Sequence, residues 1–103
     1  MPMSGCPVMS VRPEIKELAE HMERGFREHA DENPKQADPF KCGAGCEELI
    51  LRADDRVQAL YRVFSGYDAP ISKRELLKKT RDACNYLLMA AKRYEREFKD
   101  VIP

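Results

Sequence analysis

Two polar residues in the last third of the chain, Asp82 and Asn85, are spaced for one turn of a helix. They stand beside apolar residues that repeat at intervals of three and four, the pattern of a helix that packs on one side. A carboxylate or an amide drawn into such a packed region needs a hydrogen-bonding partner or a functional role. We therefore expect the functional site at Asp82 and Asn85.

The four cysteines allow two interpretations. Cys42 and Cys46, separated by Gly-Ala-Gly, could supply a structural zinc ion with three thiolates if Cys6 joins them. Their spacing is one residue longer than the usual C-x-x-C hook, and no second pair follows. The alternative is that all four are ordinary reduced thiols, with Cys84 a small core residue on its helix. The role of Cys42 and Cys46 stays open at this point.

The composition excludes some partners. The chain has 103 residues, with 18 Lys+Arg and 18 Asp+Glu, so its formal net charge is zero. A duplex nucleic acid is not expected as a partner, because its binding usually shows as a basic excess. The sequence has no signal-peptide pattern and no run near the roughly 20 apolar residues of a membrane span. We expect one domain, located in the cytoplasm and without membrane contact.

Apolar periodicity predicts an all-α fold with no strand. Helices are expected at about 13–30, 45–65 and 72–99, in a single helical domain of residues 13–103. A flexible N-terminal arm of residues 1–12 precedes it. Between the first two helices lies a loop with two prolines and two glycines, which Phe40 is expected to hold against the helices.

Local signals mark how the helices start and stop. Pro13 suits the first position of a helix, and Ser72 followed by Glu75 is a capping box. Gly66 and Pro70 end the middle helix, since glycine supplies a left-handed cap and proline prevents continuation. The connection that they form is short, so the last two helices are predicted to be an antiparallel hairpin.

The apolar stripes of the two long helices predict self-association. They are wider than one hairpin with one extra helix can cover. Two hairpins that pair into a four-helix bundle would bury them, and twofold homodimers are the commonest such assembly. We expect a homo-oligomer, and a dimer is the expected state. The alternative is a monomeric three-helix bundle.

The chain holds four stretches in order: LAEHMERGFRE from Leu18, LILRADDRVQAL from Leu49, ISKRELL from Ile71 and DACNYLLMAA from Asp82. Together they resemble the MazG-like all-α nucleoside triphosphate pyrophosphohydrolases. The similarity is greatest to small phage-type members and to nucleotide modification associated domains. The resemblance covers about three quarters of the chain, and the last stretch is its most specific part.

The resemblance implies a magnesium site built from two pairs of carboxylates. In that family an E-x-x-E pair on one helix and an E-x-x-D pair on the next hold magnesium, which binds the triphosphate and activates water. Asp82 falls on the aspartate of the second pair, and Asn85 falls on the asparagine that follows it. Both are thereby implied as catalytic residues. Lys79 falls on the glutamate of that pair.

The first carboxylate pair is replaced in this chain. Arg56 and Ala59 fall on its two glutamates, and a shift of one residue brings in Asp55 but pairs it with Gln58. Asp55 and Asp82 remain as candidate magnesium ligands. Magnesium can be held by one or two carboxylates when substrate phosphates supply further oxygens. A reduced magnesium site at these two aspartates is therefore one expectation.

The charges of the replacing side chains favour a protein that binds a phosphate compound without cleaving it. Arg56 and Lys79 place cations where the family has anions, and a fixed guanidinium or ammonium neutralises phosphate directly. The first hypothesis is a protein that binds a nucleotide or related phosphate compound with reduced or no hydrolysis. The residues expected to bind it are Arg52, Arg56, Lys79, Asn85 and Tyr86.

Two other functions compete with this hypothesis. One is an active magnesium-dependent pyrophosphohydrolase of NTPs or dNTPs, which would use Asp82, Asp54 or Asp55, and Asn85. The other is a non-catalytic helical adaptor, in which Asp82 would form a salt bridge to Arg56 or Lys79. Neither the base nor the sugar of a nucleotide ligand follows from the sequence.

Overall fold

Three helices make up most of residues 11–99, which a computed structural model of the chain describes. Helix α1 spans Pro13–Glu32, α2 spans Cys46–Phe64 and α3 spans Lys73–Phe98. Each begins and ends within two residues of its predicted position, and residues 11–99 contain no strand. None of these helices is long and apolar enough to cross a membrane. The predicted arm lies outside the described residues except for residues 11 and 12.

The helix ends follow the local signals in the sequence. Pro13 occupies the first turn of α1, where its missing N–H leaves no bond unmade. The hydroxyl of Ser72 accepts a hydrogen bond from the Glu75 backbone N–H at 3.1 Å, which caps α3. Gly66 has a φ of 83°, a left-handed conformation that suits glycine, directly after α2. These caps fix the short turn of the α2–α3 hairpin.

Helices α2 and α3 pack antiparallel, and α3 also packs against α1. The fully buried apolar side chains are few and mostly small: Leu49, Ala53, Ala83 and Ala90. Because alanines line this contact, the helix backbones approach closely with little apolar volume between them. Cys84, predicted as a core residue, is only half-buried. The same helix instead buries Arg81 and Asn85 against α1.

A face of large apolar side chains remains exposed on the hairpin. On α2 and α3 it comprises Ile50, Val57, Tyr61, Phe64, Leu87, Tyr94 and Phe98, each at least 40% exposed. On each helix these residues recur at three, four or seven positions, so they share one side of that helix. They belong to the stripes that the sequence predicts a single hairpin cannot cover.

The segment between α1 and α2 is held at two places. The rings of Phe40 and Phe26 lie 5.5 Å apart, so Phe40 fastens the loop to α1 as expected. From α3, Arg96 donates to the carbonyl of Phe40 at 2.7 Å and Arg93 donates to the carbonyl of Cys42 at 3.0 Å. Two short 3₁₀ turns, Pro34–Gln36 and Pro39–Lys41, shape the loop between α1 and α2.

Candidate functional site

A buried arginine ties α3 to α1 beside the predicted site. Arg81 is 8% exposed. Its Nη2 donates to Glu28 Oε2 at 3.1 Å, and its Nε donates to Asp82 Oδ1 at 3.2 Å. The adaptor hypothesis predicted a salt bridge from Asp82 to Arg56 or Lys79, and that prediction is therefore wrong. The guanidinium group of Arg81 pairs with Asp82 instead, because the Arg81 side chain folds back along α3 toward α1.

Gly25 lets α1 approach these polar side chains. A Cβ at this position would lie 3.1 Å from Asn85 Nδ2 and 3.2 Å from Arg81 Nε, tighter than ordinary contacts. A glycine inside a helix is less favourable than alanine by about 1 kcal/mol. Its place in the middle of α1 is explained by this close approach.

Asn85 is buried and only partly satisfied. It is 7% exposed, and its Nδ2 donates to the backbone carbonyl of Met22 at 3.2 Å. Because a carbonyl only accepts, this contact fixes the NH₂ group toward α1. The side-chain oxygen, Oδ1, is then buried with no hydrogen-bond partner among residues 11–99. Such an orphaned acceptor costs about 1–3 kcal/mol, so its retention calls for a role.

A cavity of about 150 Å³ lies beside Asn85, between α1, the loop and the α2–α3 hairpin. Its apolar walls include Phe26, Pro39 and Met89. Its polar lining includes Asp82, Asn85, Arg52 and Tyr86. An apolar cavity of about this volume can hold one benzene ring. The site therefore has room for a single six-membered ring, with polar groups along one side.

Two arginines of α2 stand over one aromatic ring at the edge of the cavity. The Cζ atoms of Arg56 and Arg52 lie 5.3 Å and 6.0 Å from the ring centroid of Tyr86. Cation–π attraction holds guanidinium groups at such distances. Each arginine also donates to a surface carboxylate, Arg52 to Glu48 at 2.9 Å and Arg56 to Asp55 at 3.1 Å. A guanidinium has five N–H donors, so both keep donors for a further acceptor.

A second groove adjoins the cavity at Asp82, which lines both. It is bordered from α2 and α3 by Asp55, Arg56, Ala59, Glu75, Lys78 and Lys79. Neither Lys78 nor Lys79 has an ion-pair partner within the described part of the chain. The fold thus brings the predicted phosphate-binding residues together. Arg52, Asn85 and Tyr86 line the cavity, and Arg56 and Lys79 line the groove beside it.

The reduced magnesium site expected at Asp55 and Asp82 stays a prediction. Across residues 11–99 no three His, Cys, Asp or Glu side chains are grouped so that they could hold a metal ion. Asp55 and Asp82 each pair with a neighbouring arginine, and Lys79 lines the same groove. A divalent cation would have to compete with these fixed charges for both carboxylates. Asp54 lines neither the cavity nor the groove.

The cysteines of the loop lie near the C-terminal half of α3. Cys42 and Cys46 are free thiols, Cys42 lines the cavity, and Cys46 Sγ lies 3.6 Å from the Ala90 carbonyl oxygen. The pKa of the nearby Arg93 is raised above its ordinary value, chiefly because Glu97 accepts a hydrogen bond from it. The proposed third zinc ligand, Cys6, lies outside the described residues.

Sequence reasoning missed four contributors to this site. Arg81 is one of them, since a neighbouring Asp82 is no sign that an arginine is buried. Glu28 and Met22 became relevant only through contacts across more than 50 residues of chain. Gly25 did carry a signal, because a glycine in the middle of an amphipathic helix usually has a packing reason.

No protein-family model, curated protein or solved structure matches this chain. Its function has to be inferred from the cavity, the groove and the residues that line them.

Proposed function

We propose that this protein binds a nucleotide through its phosphate group, on the face shared by α2 and α3, with little or no hydrolysis. The observation that carries the proposal is the pair of guanidinium groups, Arg52 and Arg56, that stand over Tyr86 at the mouth of a ring-sized cavity. A nucleotide combines the two features that this surface would recognise, a flat ring and an anionic tail.

The phosphate would be bound by cations on two helices. Arg56 lines the groove together with Lys79, which has no ion-pair partner within residues 11–99. Charge-assisted hydrogen bonds from guanidinium or ammonium groups to phosphate are among the strongest in proteins. Arg52 lines the adjoining cavity, so it would contact the phosphate nearest the ring. The cations come from both arms of the hairpin, and a bound phosphate would bridge α2 and α3.

The ring would lie in the cavity. Phe26 and Met89 offer apolar walls, and Tyr86 and Asn85 offer an aromatic face and a polar edge. The volume, about 150 Å³, is below the 300–1,000 Å³ of typical ligand pockets. Only the ring would be enclosed, while the sugar and the phosphate would lie in the open groove.

Little hydrolysis is proposed because Lys78 and Lys79 of the groove have no ion-pair partner within residues 11–99, whereas Asp55 and Asp82 each pair with an arginine. The resemblance to MazG-like enzymes stays a hypothesis of descent, in which Arg56, Ala59 and Lys79 have replaced three of the four metal ligands. Phosphate neutralised by Arg56 and Lys79 needs no magnesium, but it also gains no metal-activated water. Asp82 and Asn85 would then position the ligand.

Binding is tested by calorimetric titration of nucleoside monophosphates and triphosphates in buffer that contains EDTA. We expect saturable binding that Arg56→Ala and Lys79→Ala each weaken by roughly ten- to a hundredfold, the effect of one charge-assisted hydrogen bond. Arg62→Ala is the matched control, because this α2 arginine is exposed and pairs with Asp68 instead. Release of pyrophosphate from triphosphates with magnesium, abolished by Asp82→Ala, would favour the hydrolase instead.

The exposed apolar face of the hairpin favours a second proposal, that two copies associate through it. We infer a homodimer in which this face pairs with its copy to form a four-helix bundle. Taking about 200 Å² for a large side chain, the face offers on the order of 700 Å² per copy. That is close to the roughly 800 Å² per partner of a standard stable interface. The adaptor function would require a different protein on the same face.

A further inference from the structure

Two of the polar side chains that line the cavity, Asn85 and Asp82, carry a hydrogen-bond acceptor without a partner among the described residues. Asn85 directs its NH₂ group to the Met22 carbonyl, which leaves Oδ1 as the group without a partner among the described residues. One turn earlier on α3, Asp82 Oδ1 accepts from Arg81 Nε, and Oδ2 has no hydrogen bond within residues 11–99. Side chains three residues apart on a helix have Cβ atoms about 5–6 Å apart. Two side chains that line one small cavity therefore each carry an acceptor without a partner in the described part of the chain.

A ligand that enters this cavity must bring donors to its inner edge. We propose that the cavity selects a heteroaromatic ring that carries an exocyclic amino group, such as cytosine or adenine, over the matching oxo ring. This inference rests on the proposed nucleotide binding and adds the class of base. An exocyclic NH₂ group has two hydrogens that point in different directions, so one can reach Asn85 and the other Asp82.

An oxo group at the same place would be rejected for a physical reason. Its oxygen would face the oxygens of Asn85 and Asp82, and the ring N–H beside it is a single donor, so at least one of the two acceptors would stay without a partner. Sites built to hydrogen-bond a ligand N–H reject an analogue that lacks it far more strongly than apolar pockets reject a missing methylene. His29 and Gln36 also line the cavity, but each can donate or accept and neither enforces the choice. Arg52 lines it as a donor, and in the proposed function its free N–H groups bind the phosphate.

The orphaned oxygen is closed to solvent in the free protein, so the ring must displace a wall to reach it. Met89 lines the same cavity, and its unbranched thioether side chain adapts its shape more readily than the aromatic walls. A bound amino group would then supply the missing hydrogen bond. The unsatisfied acceptor in the free protein thereby becomes a source of affinity for the right ring.

Two pairs of nucleotides exchange the amino group for an oxo group with little change of shape. The neighbouring ring nitrogen changes with it, from an acceptor to an N–H donor. CMP and UMP differ by an amino or oxo group on a pyrimidine, and AMP and IMP differ in the same way on a purine. We expect the amino member of at least one pair to bind about tenfold more tightly or better by calorimetry. Equal affinities within both pairs would overturn the inference while leaving nucleotide binding intact. No binding by any of the four overturns the proposed function, and this inference with it.

Two variants test the acceptors directly. Asn85→Leu removes the oxygen at similar size and should reduce the preference to less than about threefold. Asp82→Asn keeps the shape but adds a donor, so it should shift the preference toward UMP or IMP. If Asn85→Leu fails to fold by circular dichroism, the Asp82→Asn result decides alone. An unchanged preference in Asp82→Asn contradicts the proposal.

Discussion

Asn85 Nδ2 donates a hydrogen bond to the Met22 carbonyl at 3.2 Å, and this contact joins the middle of α3 to α1. The bond satisfies the amide nitrogen but not the amide oxygen, which stays buried without a partner within residues 11–99. A purely structural role would be served better by an apolar residue. The unsatisfied oxygen of Asn85 therefore favours a binding role for this residue over a packing role.

Asn85→Leu should leave the free energy of unfolding unchanged within about 1 kcal/mol or raise it, because it removes an unsatisfied buried acceptor. The same variant should lose its discrimination between amino and oxo rings. Urea denaturation followed by circular dichroism gives the stability. A loss of more than about 2 kcal/mol would indicate that Asn85 is retained for packing.

Arg81→Met should destabilise the protein by about 1–3 kcal/mol, because it leaves Glu28 and Asp82 without their shared guanidinium. Both carboxylates are partly exposed, so the loss falls short of that for a fully buried pair. Chemical denaturation measures it. Arg27→Met is the control. This α1 arginine is exposed and pairs with Glu23 along the helix, so its loss should cost less than about 0.5 kcal/mol.

In an exposed helix, Gly→Ala raises the free energy of unfolding by about 1 kcal/mol. Gly25→Ala should not give this stabilisation. The new Cβ would press on the side chains of Asn85 and Arg81, at 3.1 Å and 3.2 Å from the nearest atoms. Nucleotide affinity should fall by about tenfold, because Asn85 must shift. Gly43→Ala has no atom within 4 Å of its new Cβ and should alter neither property. A fully stabilised Gly25→Ala protein with normal affinity would contradict this account.

Tyr61→Glu should convert the proposed homodimer into a monomer, because it places a charge within the exposed apolar face of α2. Light scattering after size-exclusion chromatography measures the mass. Leu51→Glu is a matched control, since Leu51 and Tyr61 are equally exposed, at 62%, but Leu51 lies off the apolar stripe. It should leave the dimer intact. If the wild-type protein stays monomeric at high concentration, the dimer proposal is wrong.

The helices were predictable from the sequence because their signals are local. Capping at Ser72, the proline at the first turn of α1 and the left-handed glycine after α2 each depend on a few neighbouring residues. The antiparallel hairpin followed from the short turn between two long helices. Such features need no knowledge of distant contacts.

The cavity was only partly predictable. Helical spacing placed Asp82 and Asn85 together, and their position beside the apolar stripe marked them as polar groups near the interior. That Arg81 rather than Asp82 would be the most buried charge depends on the approach of α1, which Gly25 permits. Helical spacing fixes which residues share a side of α3, but not which neighbour covers that side.

The central claim, that a nucleotide binds at the α2–α3 face, is tested most directly by an NMR titration of ¹⁵N-labelled protein. AMP and CMP are added to millimolar concentration with EDTA present, and backbone and side-chain amides are followed. We predict saturable shifts of the Asn85 side-chain NH₂ group and of the amides near Tyr86, Arg56 and Lys79. Resonances that stay unshifted at these positions, or shifts confined to α1 or the exposed apolar face, would contradict the account.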